Sequence, residues 1–149
     1  MSDKKDFFAH KAKEYENNEK RVSNVQNIAD GILKNISYTK EMSILDFGSG
    51  TGLLTQEIAP YVKKITALDM STSMNEVLRE KTEGFACDLE VLELDITKEK
   101  YDDKLSNLDG IISSMTIHHI ENTEDLFKIF YDLLNENGTI ALADLETED

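Results

Sequence analysis

Apolar and polar residues alternate along this chain in two rhythms, and those rhythms lay out its elements. From Glu19, the residues Val22, Val25, Ile28, Ala29, Ile32, Leu33 and Ile36 follow a 3.6-residue period, which predicts an amphipathic helix in need of a packed partner. Ahead of it, Phe7, Phe8, Ala12 and Tyr15 stand at helix-like spacing in a charged segment running to about Asn18. Ile44, Leu45 and Phe47 read as a buried parallel strand with Asp46 near its carboxyl end. Leu53, Leu54 and Ile58 mark a short helix that Pro60 closes. KITALD (64–69) is a second buried strand, followed by a helix that Ser71 or Ser73 caps and Gly84 ends. LEVLELD (89–95) is a third strand, and a polar loop through Lys104 leads to a fourth, NLDGIISS (107–114). Asn122 or Thr123 caps a last helix reaching about Asn135, with Leu126, Phe127, Ile129, Phe130, Leu133 and Leu134 on one broad apolar face. Asn137–Gly138 is expected to be a left-handed helix stop before a fifth strand, TIALA (139–143).

Strands alternating with helices make βαβ units, whose right-handed crossovers build an α/β, doubly wound, mostly parallel sheet. About five strands with helices on both faces are expected in one globular domain, with residues 1–40 a helical segment ahead of an α/β unit over 41–149. A formal charge of −14 repels phosphate backbones and anionic lipid, so no nucleic-acid or membrane partner is expected. No apolar run approaches the ~20 residues that span a bilayer. The opening MSDKKDFFAHKAKEYE lacks the apolar core of a secretory signal. The single cysteine, Cys87, excludes an internal disulfide framework and suits a reducing cytoplasm.

Candidate chemistry centres on ILDFGSGTG (44–52), where Gly48, Gly50 and Gly52 alternate with Ser49 and Thr51. Missing β-carbons let the backbone turn sharply and approach a ligand, and the helix that follows is expected to offer free N–H donors. Ligands of doubly wound sheets sit beyond the carboxyl ends of the strands, where Asp46, Asp69, Asp95 and Ser113–Ser114 all fall. A carboxylate at Asp69 can accept from both hydroxyls of a ribose, and Met70 beside it offers a polarizable surface to an adenine ring. Asp95 can accept from an exocyclic amine, with Ile96 a second apolar contact.

At these residues the chain resembles the class I S-adenosylmethionine-dependent methyltransferases, and most closely their small-molecule type. The match runs through ILDFGSGTG, ALDMS, LELDI, DGIISSMTIHHI and NENGTIALAD, roughly Ile44 to Asp144. The resemblance implies a Rossmann-like methyltransferase fold that binds S-adenosyl-L-methionine and releases S-adenosyl-L-homocysteine. It assigns Gly48, Ser49 and Gly50 to the methionine part of the cofactor and Asp46 to its ammonium. Asp69 would hold the ribose, Met70 and Ile96 would sandwich the adenine, and Asp95 would bind its amino group. Ser113, with Ser114 a weaker candidate, would lie beside the transferable methyl, and Tyr15 would belong to a lid formed by the N-terminal segment. His118 and His119 are the candidates for a general base, needed only if the nucleophile arrives protonated. The sequence favours instead one histidine packed at the strand–helix junction and the other in solvent. No metal site is expected, because adjacent histidines do not share a helix face.

The family's sheet has seven strands, whereas this sequence stops just after the fifth, so the last hairpin is expected to be missing. That would leave TIALA as an apolar edge, open to self-association into a homo-oligomer or to a cover from the N-terminal segment. A nicotinamide-dependent oxidoreductase would share the sheet and the ribose acid. Its G-x-G-x-x-G pattern wants a third glycine where Leu53 stands. A non-catalytic domain binding S-adenosylmethionine or S-adenosylhomocysteine is the other alternative.

Overall fold

A computed structural model describes residues 19–81, 84–101, 105–114 and 122–143. In chain order these form α1 (Glu19–Asn35), β1 (Ser43–Phe47), α2 (Leu53–Ile58), a single 3-10 turn (Ala59–Tyr61) and β2 (Lys64–Asp69). There follow α3 (Thr72–Glu80), β3 (Asp88–Glu93), β4 (Leu108–Ser114), α4 (Thr123–Leu133) and β5 (Leu134–Ala143). The strands join in one parallel sheet, ordered β3-β2-β1-β4-β5. The order reverses between β2 and β4 on either side of β1, so β1 delivers its carboxyl end to the crevice where such sheets bind ligands. The expected doubly wound α/β architecture is therefore the observed one.

Alternation along β1 divides the core. Ile44 joins Ile65 and Ile112 on one face, where Val25, Ala29 and Ile32 of α1 and Leu54 and Ile58 of α2 cover them. Leu45 and Phe47 face the other way, into Leu126, Phe130 and Leu133 of α4. The Phe47 and Phe130 rings meet edge-on at 5.2 Å. Asp46 shares the parity of Ile44, so it turns a carboxyl into the α1–α2 side of the core. That placement governs the site.

The caps resolve to Ser71, whose side chain accepts from Met74 N, and Asn122, which accepts from Asp125 N. Three boundaries differ from expectation. Helix α3 ends at Glu80, with Lys81 in a right-handed turn, four residues ahead of Gly84. Strand β3 ends at Glu93 rather than Asp95, because the Asp95 carboxylate accepts from both Thr97 N and Thr97 Oγ1 and turns the chain out of the sheet. Asn137–Gly138 is no helix stop: Leu134 is already extended (φ −81°, ψ 144°) and pairs with Leu108, so ladder pairing takes over at once. Gly138 is needed for space instead, since a β-carbon there would lie 2.7 Å from Leu134 Cδ2. Among the described residues, no helix is long and apolar enough to cross a membrane.

Candidate functional site

The glycine turn is tied to the end of β2. Gly48 N and Ser49 N both donate to Leu68 O (2.8 and 3.1 Å), and Gly50 N donates to Asp69 Oδ2 at 2.9 Å. The turn's own amides are thus committed at these three positions, and α2, the helix expected to offer free N–H donors, is too short to act as an anion seat. What the glycines provide is shape. Gly50, at φ +57°, has nothing within 4 Å of where a β-carbon would stand, so its outer side is open.

Gly52 caps α2 at φ +89°, and a β-carbon on it would lie 2.2 Å from Leu78 Cδ1, a fully buried side chain of α3. Gly52→Ala combines a left-handed backbone with overpacking, so a loss of about 2–4 kcal/mol is expected from denaturant unfolding.

Two hollows open beside the turn and share Gly48. The first is lined by Phe47, Gly48, Leu68, Asp69, Met70, Leu94, Asp95 and Ile96. It gathers Asp69 and Met70 from the end of β2 and Asp95 and Ile96 from the turn beyond β3. Asp69 sits there with Oδ2 held by Gly50 N and Oδ1 by Ser71 N (2.8 Å). Asn75 Nδ2, on α3, donates to the Asp69 carbonyl at 3.1 Å and steadies the strand end. Asp95 uses Oδ1 for its own turn, and its Oδ2 accepts from no described donor. Met70 is 61% exposed, an apolar side chain held at the mouth, whereas Ile96 is buried.

The second hollow is smaller and lies on the α1–α2 side, lined by Val25, Asp46, Gly48, Ser49, Leu53, Leu54 and Ser114. The expectation that Asp46, Asp69 and Asp95 ring one hollow is corrected accordingly: Asp46 lines the second and the other two line the first. Asp46 is buried, and Thr55 Oγ1 donates to its Oδ2. Burial pushes its carboxyl up to about 7; the Thr55 hydrogen bond opposes that shift, and the negative charge of Asp69 adds to it. The Ser49 and Thr51 hydroxyls are buried without a partner among the described residues. Unpaired buried hydroxyls are costly, and Ser49 lines the very hollow where a polar ligand would satisfy it.

Ser113 is fully buried, and its hydroxyl donates to Phe47 O at 2.8 Å, so it pins β4 to the carboxyl end of β1. Ser114, the weaker candidate in the sequence, is the one that lines a hollow. Tyr15, His118 and His119 lie outside the described residues. No group of three or more metal-ligating side chains occurs among the described residues. Sequence reasoning passed over Thr55, whose signal is a hydroxyl three residues before Ile58 on the otherwise apolar buried face of α2.

The chain matches the methyltransferase domain family over residues 44–138, from the first strand to the end of the last helix and beyond. It is 37% identical over 110 residues to an uncharacterized methyltransferase of Schizosaccharomyces pombe, covering 70% of this chain and 39% of that one. It is 34% identical over 106 residues to malonyl-[acyl-carrier protein] O-methyltransferase 1 of Ilyobacter polytropus, covering 70% of this chain and 38% of that one. Its fold superposes on Haemonchus contortus phosphoethanolamine N-methyltransferase 1, in complex with phosphoethanolamine and S-adenosylhomocysteine. That match has a TM-score of 0.71 at 15% identity and covers 97% of this chain and 33% of that one. The chain spans about two-fifths of the length of these two curated relatives. The match over residues 44–138, on this parallel sheet with its glycine turn braced by Asp69, places the chain in the class I S-adenosylmethionine-dependent methyltransferases.

Proposed function

We propose that this chain binds S-adenosylmethionine across the two hollows that Gly48 lines and directs its methyl group to a small-molecule acceptor. The observation that carries the reading is the convergence of Asp69, Met70, Asp95 and Ile96 on one hollow, with Gly48 lining both it and the Asp46–Ser49 hollow. The residues fit the cofactor: the orphaned Ser49 hydroxyl and the open side of Gly50 leave room and hydrogen-bonding capacity for a polar group.

A carboxylate has about four acceptor sites, and Gly50 N and Ser71 N occupy two on Asp69, leaving two for the hydroxyls of a ribose. Asp95 Oδ2 is open to an exocyclic amine, and Met70 and Ile96 offer apolar faces to the base. Asp46 supplies the negative charge for an ammonium, with Ser49 beside it. When bound, the cofactor brings a methyl group on a sulfonium centre that needs no further activation. The protein's task is then orientation of the acceptor, worth several kcal/mol when reacting atoms are held in line (about 7–11 at best). Ser113 serves that task indirectly by fixing the β1–β4 junction. His118 and His119 are the residues we would test for proton removal from the acceptor, and Tyr15 for closure over the cofactor.

A small acceptor is favoured by the names of similar proteins, one of which acts on phosphoethanolamine. The test is turnover. With S-adenosylmethionine and a panel of small hydroxyl, amine and thiol acceptors, S-adenosylhomocysteine should accumulate with at least one of them and not with Asp69→Ala. Cofactor binding without product from any acceptor would contradict catalysis and leave a binding domain.

A further inference from the structure

Asp46 is an unusual group to find sealed in a core. Its carboxyl is 1% exposed and receives one neutral hydrogen bond, from Thr55 Oγ1, while Oδ1 accepts from no described donor. Thr55 is itself fully buried, one turn into α2, so its hydroxyl has no water to turn to. Around the carboxyl, Ala67 of β2 and Ile112 of β4 flank it in register. Val25 of α1, Leu54 of α2 and Ser114 of β4 close the hollow. None of these neighbours carries a charge. Asp69, the charged group that acts on Asp46, acts against ionisation. Nothing described in the protein neutralises Asp46; a cation entering the hollow would.

We propose that Thr55 is a positioning residue for the amino-acid end of the methyl donor, fixing Oδ2 of Asp46 so that Oδ1 is kept as the acceptor for the donor's ammonium. This rests on the methyltransferase reading of the site and adds to it a residue that never touches the cofactor. A threonine hydroxyl carries one proton, and here that proton is committed to the carboxylate. A hydrogen bond to the ionised form favours that form, so Thr55 also keeps Asp46 chargeable near neutral pH. Loss of the hydroxyl removes both effects together, whereas loss of the methyl group removes neither.

The pH dependence of donor binding follows. Affinity rises as Asp46 gives up its proton, around pH 7. It falls again at higher pH, as the ligand's α-amino group loses its own. Thr55 governs the rising limb alone.

The experiment measures S-adenosylhomocysteine affinity from pH 5.5 to 9 by titration calorimetry on the full chain, with Thr55→Val and Thr55→Ser beside the parent. In parallel, the carboxyl-carbon NMR shift of Asp46 in the ligand-free protein is followed over the same range, identified by its absence in Asp46→Asn. Thr55→Val should move the Asp46 midpoint and the rising limb to higher pH and weaken binding at pH 7 about tenfold, the size of one lost hydrogen bond to a charged group. The falling limb should stay in place, and Thr55→Ser should behave as the parent. A Thr55→Val protein with the parent's midpoint and rising limb overturns the proposal. So does a parent Asp46 that titrates in the ordinary carboxylate range, a result that needs no variant to fold. Failure of the parent to bind S-adenosylhomocysteine at any pH overturns the methyltransferase reading itself, and with it this role for Thr55.

Discussion

Asp46→Asn should make the protein more stable at pH 8 and, at the same time, a poorer binder of its cofactor. In the folded chain burial pushes the Asp46 carboxyl up to about 7, against an ordinary value of 3.8. Between those two values the folded state holds a proton that the unfolded state has released. Stability therefore declines as pH rises through that window and levels off above about 7. Asparagine has no proton to lose, and its amide oxygen can still accept from Thr55. The variant's advantage is thus absent below the unfolded value, grows through the window and is complete above it. Its size should be about 1–3 kcal/mol, or several degrees in a thermal scan of a domain this large. Binding moves the other way, because a charged partner for the ammonium becomes a neutral one. A loss of roughly 10–100-fold in S-adenosylhomocysteine affinity is expected at pH 7.5. A variant that gains stability while losing affinity cannot be explained by damage to the fold. Equal stability of the two proteins at pH 8 would remove the claim that Asp46 is held against its charge.

Asp69→Ala should have the largest effect on the site as a whole. One carboxylate links the glycine turn to the start of α3, accepting from Gly50 N on one oxygen and Ser71 N on the other. Alanine leaves both amides without their partner and removes the group proposed for the ribose. Donor affinity should drop at least 30-fold, with about 1–3 kcal/mol of stability lost by denaturant titration. A second consequence separates this variant from a generic loop defect. Because the Asp69 charge raises the Asp46 carboxyl, its removal should bring the Asp46 titration to lower pH. An unchanged Asp46 midpoint would mean that the two acids do not sense one another. Unchanged affinity would remove Asp69 from the cofactor site.

Much of this was legible in the residue pattern, and where it was not there is a physical reason. The inner strands announced themselves through mainly apolar runs such as Ile65–Leu68, broken only by Thr66, all of whose members are buried. The acid closing β2 and the methionine after it followed from strand geometry alone. Asp95 was expected inside the third strand but lies past its end, since a local side-chain turn with Thr97 competes with the ladder, and periodicity does not report it. The start of β5 was hidden because Leu134–Asn137 carries no strand alternation; its pairing with Leu108 is a long-range contact that overrides local preference. The glycine turn was recognised, yet the commitment of its own amides was not. Their bonds to Leu68 O and Asp69 Oδ2 depend on how β1 and β2 lie side by side, which no local motif encodes. Thr55 was missed for a similar reason: its partner lies nine residues away, across a strand-to-helix turn.

The most direct test of the account is a competition between two ligands that such a sheet could hold. Titration calorimetry at pH 7.5 with S-adenosylhomocysteine and with NAD should show a saturable heat for the first, abolished in Asp69→Ala, and none for the second. Saturable NAD binding with no response to S-adenosylhomocysteine would contradict the assignment of these hollows to a methyl donor.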